Sequence, residues 1–269
     1  MEKFNYGIEK INAPRLWSKG YTGKGVVVAV IDSGCQKDHP DLINSIIGGY
    51  NFSDDSLDPF DYSDQLSHGT HVSGIIAGTN TNKMIGVAPG ASLLILKIIN
   101  RKRRGSLKEL IKAINFAIEW VGDGGIKVKI ISISLSTITQ DPDLYSVISK
   151  AIKNNIVVVS SPANHGFPGF PALYQQVISV GSYSYKTQGK QLVDFLAPGE
   201  KIYSAVPMNL YYHLTGNSMA APHISGAIAL LLNRFEFEVG RAPSFYETFS
   251  LLQENTKIST QQYKELFLK

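Results

Sequence analysis

Three short blocks of this chain carry the residue types that nucleophilic catalysis needs. Asp32 lies in Val28-Ala29-Val30-Ile31-Asp32-Ser33-Gly34, His68 opens His68-Gly69-Thr70-His71-Val72-Ser73-Gly74, and Ser218 lies in Leu214-Thr215-Gly216-Asn217-Ser218-Met219-Ala220-Ala221-Pro222-His223. A hydroxyl is a weak nucleophile until a neighbouring imidazole takes its proton. The imidazole needs a carboxylate that fixes its tautomer and stabilises the imidazolium. A tetrahedral oxyanion needs donors, and the Ser218 N–H is one candidate. Each residue alone also has a plainer reading. Ser218 before a helix reads as an N-cap, Asp32 after a strand as a turn cap, and His68 as a capping or surface histidine.

The elements around these blocks decide whether they can meet. Val26–Ile31 is a continuous apolar, β-branched run, as in a strand covered on both faces. Leu93–Ile98, Ile130–Leu135 and Ile156–Ser160 read the same way, with shorter strands at Val177–Val180 and Val193–Leu196. Apolar residues recur at helical spacing over Leu107–Val121 and Leu144–Ile152, and Gly69–Gly78 and Ser244–Gln253 read as shorter helices. After Ser218 the chain carries almost no charge until Arg234, which predicts a helix buried on nearly all sides. Residues 1–24 read as an arm with one helical turn around Ala13–Lys19, 51–67 as an aspartate-rich loop, and 100–106 as a basic loop.

Strand and helix alternate, which predicts an α/β fold: one domain over residues 1–269, with a mainly parallel twisted sheet and helices on both faces. Ligands of such sheets bind beyond the carboxyl ends of the strands. Asp32, Ser134-Leu135-Ser136 and Ser160–Asn164 fall there, and His68 and Ser218 begin helices whose N-termini face the same edge.

Composition narrows the partners. A net charge of +4 is too small for this length to predict a nucleic-acid or anionic-membrane partner. A lone cysteine, Cys35, excludes an internal disulfide framework and reads as a packed thiol in a reducing compartment. No uncharged run approaches the ~18 residues that span a bilayer, and Met1-Glu2-Lys3-Phe4-Asn5 lacks the apolar core of a signal peptide. The expected location is the cytoplasm. The mature domain of a secreted precursor is the alternative.

Taken together, the three blocks resemble the subtilisin-like serine proteases, whose triad runs Asp, His, Ser along the chain. His39-Pro40-Asp41-Leu42, Gly86-Val87-Ala88-Pro89 and Ala197-Pro198-Gly199 add to a likeness that runs from Tyr6 to Leu232. It is nearest to the intracellular subtilisins of bacilli, through Ile31-Asp32-Ser33-Gly34-Cys35, Ile46-Ile47-Gly48-Gly49 and Leu214–His223. The resemblance implies a three-layer subtilisin-like fold and a serine endopeptidase acting through an acyl-enzyme. Ser218 is then the nucleophile, His68 the general base and Asp32 its orienting partner. Asn164, in Ser161-Pro162-Ala163-Asn164-His165-Gly166, joins the Ser218 N–H in the oxyanion hole, although an asparagine after a strand also reads as a turn residue.

The resemblance further implies that Ser134–Ser136 and Arg103–Leu107 sandwich an extended peptide by strand addition. Ser134, Leu135, Ser136, Ala163, Arg103, Gly105, Leu107 and Asn217 are the substrate-binding residues it implies. No cofactor is needed for the chemistry, but a structural calcium is implied at Asp41 with Asn80 and Asn82. The Thr79–Met84 loop is one residue short for that site and carries Lys83. Ser136 and Ala163 replace glycines of the family, which narrows the first specificity pocket, and segments 165–176 and 184–192 are shorter at its rim. Asn217 replaces a threonine and is expected to offer its amide to the oxyanion with altered reach. The run Arg101-Lys102-Arg103-Arg104 has three readings: a solvated loop, a preference for acidic substrate residues, or a site cut by another protease. The chain begins where mature family domains begin, so no prodomain is expected within it. A separate prodomain or a homodimer stays open as a partner. The competing reading is a catalytically silent scaffold that binds peptides or proteins. An esterase of another α/β class expects Gly-x-Ser-x-Gly and the order Ser, Asp, His, and neither is here.

Overall fold

The computed structural model describes residues 6–164, 169–183 and 193–255. Seven strands form its central sheet: β1 (Val27–Asp32), β2 (Ile46–Asn51), β3 (Ser92–Lys97), β4 (Val128–Ile133), β5 (Val157–Ser160), β6 (Ile178–Ser182) and β7 (Phe195–Ala197). Their order across the sheet is β2-β3-β1-β4-β5-β6-β7, and every neighbouring pair is parallel. Side chains alternate between the two faces, as the two-residue period of a strand requires. Val28, Val30, Leu93, Ile95 and Val159 enter one core; Val27, Ala29, Ile31, Leu94 and Val158 enter the other. Both faces are covered, which is why these strands read as unbroken apolar runs.

The helices sort onto those faces. α1 (Tyr6–Ile11), α2 (Ala13–Trp17), α3 (His68–Ala77), α6 (Asn217–Val239) and α7 (Phe245–Asn255) contribute to the first core. α4 (Leu107–Glu119) and α5 (Pro142–Lys153) contribute to the second. This is the expected three-layer arrangement. Local chemistry sets the helix starts. Ser106 and Glu109 form a capping box at α4, and Asp141 accepts the N–H groups of Asp143 and Leu144 at α5.

Four elements depart from the sequence expectation. β2 lies inside a stretch that gave no strand signal, because Gly48 and Gly49 interrupt its pattern. An antiparallel hairpin, β8 (Ile202–Val206) with β9 (Leu210–Leu214), stands apart from the main sheet. The arm before Val26 folds as two short helices, not one turn. The helix α6 continues beyond Asn233 to Val239 because its last turns become two-sided, and Gly240 ends it at φ 78°. The rims expected within 165–168 and 184–192 lie outside the described residues.

Candidate active site

β1 sits between β3 and β4, and its register pairs Ile31 with Ile133 and Asp32 with Lys97. Asp32 therefore ends its strand beside Ser134 on one flank and Lys97 on the other. It is 1% exposed. The first residue of α3 faces it: His68 Nδ1 lies 2.7 Å from Asp32 Oδ1 and 2.9 Å from Oδ2. Glycine makes this approach possible, since a Cβ on Gly69 would stand 2.1 Å from Gly34 O and 3.2 Å from Asp32 Cβ. Gly34 itself has φ +104° and packs so tightly that a Cβ would meet Tyr62 O at 2.3 Å.

Around this pair lies a web of hydrogen bonds. Ser33 N–H donates to Asp32 Oδ1, Ser33 Oγ donates to Asp64, and Ser33 Oγ in turn accepts the Gly69 N–H. Asp64 also accepts from the backbone of Leu66, Ser67 and Thr70 and from the Thr70 hydroxyl. Lys97, fully buried, donates to Ser33 O and Ser63 O at 2.9 and 3.0 Å and pairs with Asp55 at 3.2 Å. Burial alone would depress the His68 imidazole. The Asp32 charge and hydrogen bond, with Asp64 behind, outweigh it and raise His68 above the ordinary histidine value, while the Arg103 charge pulls the other way.

On the opposite wall, Ser218 is the second residue of α6, and Gly216 occupies the capping position, so Ser218 is not the cap. Its Oγ donates to Ser134 O at 3.2 Å, and Ser134 Oγ donates to Ser218 O at 3.2 Å. Pro222 explains the second bond: it lacks the N–H that would otherwise reach back to the Ser218 carbonyl. Asn164 Oδ1 accepts the Asn217 N–H at 2.9 Å. Asn217 departs from expectation, because it is completely buried and its side chain points inward, bonded to Ser182, Pro162 and Ala163. It neither faces a substrate nor offers an oxyanion donor.

Comparison with known proteins gives the family. A profile described as the subtilase family matches residues 23–246. The chain is 42% identical to "Major intracellular serine protease" of Bacillus subtilis (strain 168) over 266 residues, 93% of this chain and 82% of that protein. It is 42% identical to "Intracellular serine protease" of Paenibacillus polymyxa over 240 residues, 84% and 72% of the two chains. Subtilisin E of Bacillus subtilis (strain 168) is 39% identical over 243 residues, 85% of this chain and 61% of that protein. The chain belongs to the subtilase family.

Membership gives this subtilase its enzyme class, a subtilisin-type serine endopeptidase. Segments 134–136 and 99–105 leave the sheet from β4 and β3, on either side of β1. Leu107 starts α4, as its helical spacing predicts, with Ser106 as the cap. Thr137 and Phe170 exchange backbone hydrogen bonds at 2.9 and 2.8 Å, which brings Ser136 against Gly169. A Cβ on Gly169 would lie 2.6 Å from Ser136 Cβ and 3.6 Å from Ala163 N, so the Ser136 hydroxymethyl fills space between these segments. Asn100 holds the basic loop in a turn through the N–H groups of Lys102 and Arg104, while Asp55 accepts the Arg101 N–H. Arg101, Arg103 and Arg104 stay exposed.

A cation at Asp41 does not suit the residues present in this subtilase. Asp41 is fully buried; Oδ1 accepts the Asn82 N–H, and Oδ2 accepts the N–H groups of Lys83 and Met84 and the Tyr211 hydroxyl at 2.7 Å. The Asn82 side-chain amide donates to that same hydroxyl, and Lys83 Nζ lies 5.5 Å from the Tyr211 ring centroid. A carboxylate surrounded by four donors, beside an ammonium, has no oxygen set to offer a metal. Asp64, Ser33 and Lys97 were not singled out from the sequence. The signals were present: an aspartate four residues before His68, and a lysine ending an otherwise apolar strand. Cys35 is buried as expected, and burial pushes its thiol up to about 12. No helix among the described residues is long and apolar enough to cross a membrane.

Proposed function

We propose that this subtilase cleaves extended peptides through an acyl-enzyme, with Ser218 as nucleophile, His68 as general base and then general acid, and Asp32 as the group that orients His68. The observation that carries the reading is the bond from His68 Nδ1 to the buried Asp32 carboxylate, which leaves Nε2 free to take the Ser218 proton. Ser218 Oγ turns from Ser134 O, attacks the scissile carbonyl, and passes its proton to Nε2. The oxyanion is held by Asn164 Nδ2, which has no partner among the described residues, and by the Ser218 N–H at the positive end of α6. Collapse expels the amine, which takes the proton from His68. Water, deprotonated by His68, then releases the acid. Every role is filled by a protein group, so the chemistry requires no metal.

Two features narrow the substrate. The Ser136 side chain favours small residues at the position before the cleaved bond, and Arg103, whose charge reaches His68, favours acidic side chains along the same groove. A single catalytic domain working in the cytoplasm agrees with the lone buried thiol and with the two relatives named as intracellular. The silent-scaffold alternative is not favoured, since the nucleophile, base and orienting acid are all present.

A fluorophosphonate should add its mass to the peptide containing Ser218. Ser218→Ala should abolish labelling and lower kcat by about 10⁶-fold, the size of effect known for subtilisin. Absence of labelling in folded protein sinks the reading. In a peptide mixture, cleavage should follow small residues, and Ser136→Gly should raise kcat/KM for a phenylalanine there about 10–200-fold.

A further inference from the structure

We infer that Asn217 is a positioning residue for the oxyanion hole, acting through Asn164, a role that rests on the peptidase reading above. Its amide joins three pieces of chain at once. Oδ1 accepts the Ser182 N–H at the end of β6 at 2.9 Å, and Nδ2 donates to Ala163 O at 3.1 Å and Pro162 O at 3.4 Å. The partners fix which end is which, because a backbone N–H only donates and a carbonyl only accepts. Both amide hydrogens and the oxygen are thereby engaged. Nothing is left to donate to a substrate.

The backbone of the same residue completes the hold. Asn217 N–H donates to Asn164 Oδ1 at 2.9 Å, which fixes the orientation of the Asn164 amide against the start of α6. Asn217 thus grips the 162–164 segment from two directions, by its side chain at the two preceding carbonyls and by its main chain at the Asn164 amide. Gly216 N–H donates to Gly199 O at 2.8 Å, so the start of α6 is anchored beyond β7 as well. The energetic logic is that of preorganisation: an oxyanion donor helps only if it is already aimed when charge develops. A threonine here could not do the same. Its hydroxyl has a single hydrogen and a side chain one atom shorter, so it cannot bond two carbonyls and also receive the Ser182 N–H.

The test is a double-mutant cycle of Asn217→Ala with Asn164→Ala on a chromogenic peptide substrate, read as kcat and KM separately, with melting temperatures for all four proteins. Asn164→Ala should lower kcat by about 10²–10³-fold, as for the corresponding asparagine of subtilisin. Asn217→Ala should lower kcat by about 10–30-fold in the wild-type background with KM within about twofold, and by less than about threefold once Asn164 is gone. Asn217→Leu, close to asparagine in size but without donor or acceptor, serves if the alanine variant does not fold, with the same pattern expected. An equal loss in both backgrounds, or an unchanged kcat with a lowered melting temperature, overturns the inference. A wild-type protein that hydrolyses no peptide removes the peptidase reading and this inference with it, which is a separate result from a wild type that works and an Asn217 effect that ignores Asn164.

Discussion

On the His68 side of the cleft, Asp32, Ser33, Asp64, Thr70 and Lys97 belong to one connected web in which Ser33 and Asp64 each make several bonds. On the Ser218 side, among the described residues, the hydrogen bonds that hold the segment carrying Asn164 to α6 and β6 all come from Asn217. Part of the base corner is local in sequence, since Asp64, His68 and Thr70 are near neighbours, while Asp32 and Lys97 reach it from β1 and β3. The oxyanion wall draws on positions around 163, 182 and 217, brought together only by the sheet. A web of several bonds tolerates the loss of one. A single long-range tie concentrates the consequence of one change, and that is where this chain departs from its family pattern.

Three experiments press on that contrast. The largest effect is expected from Asp32→Asn, which should lower kcat by about 10⁴-fold, the loss familiar from serine proteases in which the wrong imidazole tautomer is held. The surrounding web should keep the corner in place, so the melting temperature should move by less than about 4 °C. A fall beyond about 10 °C would show that the corner depends on the Asp32 charge and is not redundant.

Acid tests both sides together. His71 on α3 and His223 on α6 are buried, and burial lowers each to about 4 from an ordinary 6.5. Between those values the unfolded chain binds protons that the folded protein refuses, so stability falls as pH drops from about 6.5 to 4, by on the order of 3 kcal/mol per histidine. Hydrogen exchange over that range should show the start of α6 losing protection before α3. Earlier opening of α3 would reverse the contrast.

The smallest effect lies outside the cleft, where Tyr211→Phe removes one donor from Asp41. Urea unfolding should register a loss of about 1–2 kcal/mol, and a chelator should leave the unfolding midpoint unchanged. A chelator that lowers it would place a cation where hydrogen bonds are read.

Much of this was legible in the sequence, for definite reasons. Strands buried on both faces announce themselves as apolar runs, so β1, β3, β4 and β5 were placed within a residue or two. Asp32, His68 and Ser218 sit in blocks whose glycines and small residues are needed for close approach, and such local demands leave a mark. β2 and the β8–β9 hairpin left none. β9 is largely exposed, and its turn uses Met208 and Asn209 at positive φ in place of the usual asparagine-glycine pair. The role of Asn217 was misjudged for the same reason: its partners are Pro162, Ala163 and Ser182, and no pattern near residue 217 specifies them. The Asp41 cluster likewise depends on Tyr211, remote in sequence.

Pro222 offers a last point. Helices fray from their ends, because the first turn has few bonds of its own to lose. Here the proline leaves one carbonyl of that turn free, and the sheet takes it through Ser134. Residue 218 is thereby tied to the end of the buried strand β4. Thermal motion that loosens the end of α6 has to carry β4 with it or break that bond, so the reacting oxygen is steadied by a defect in its own helix.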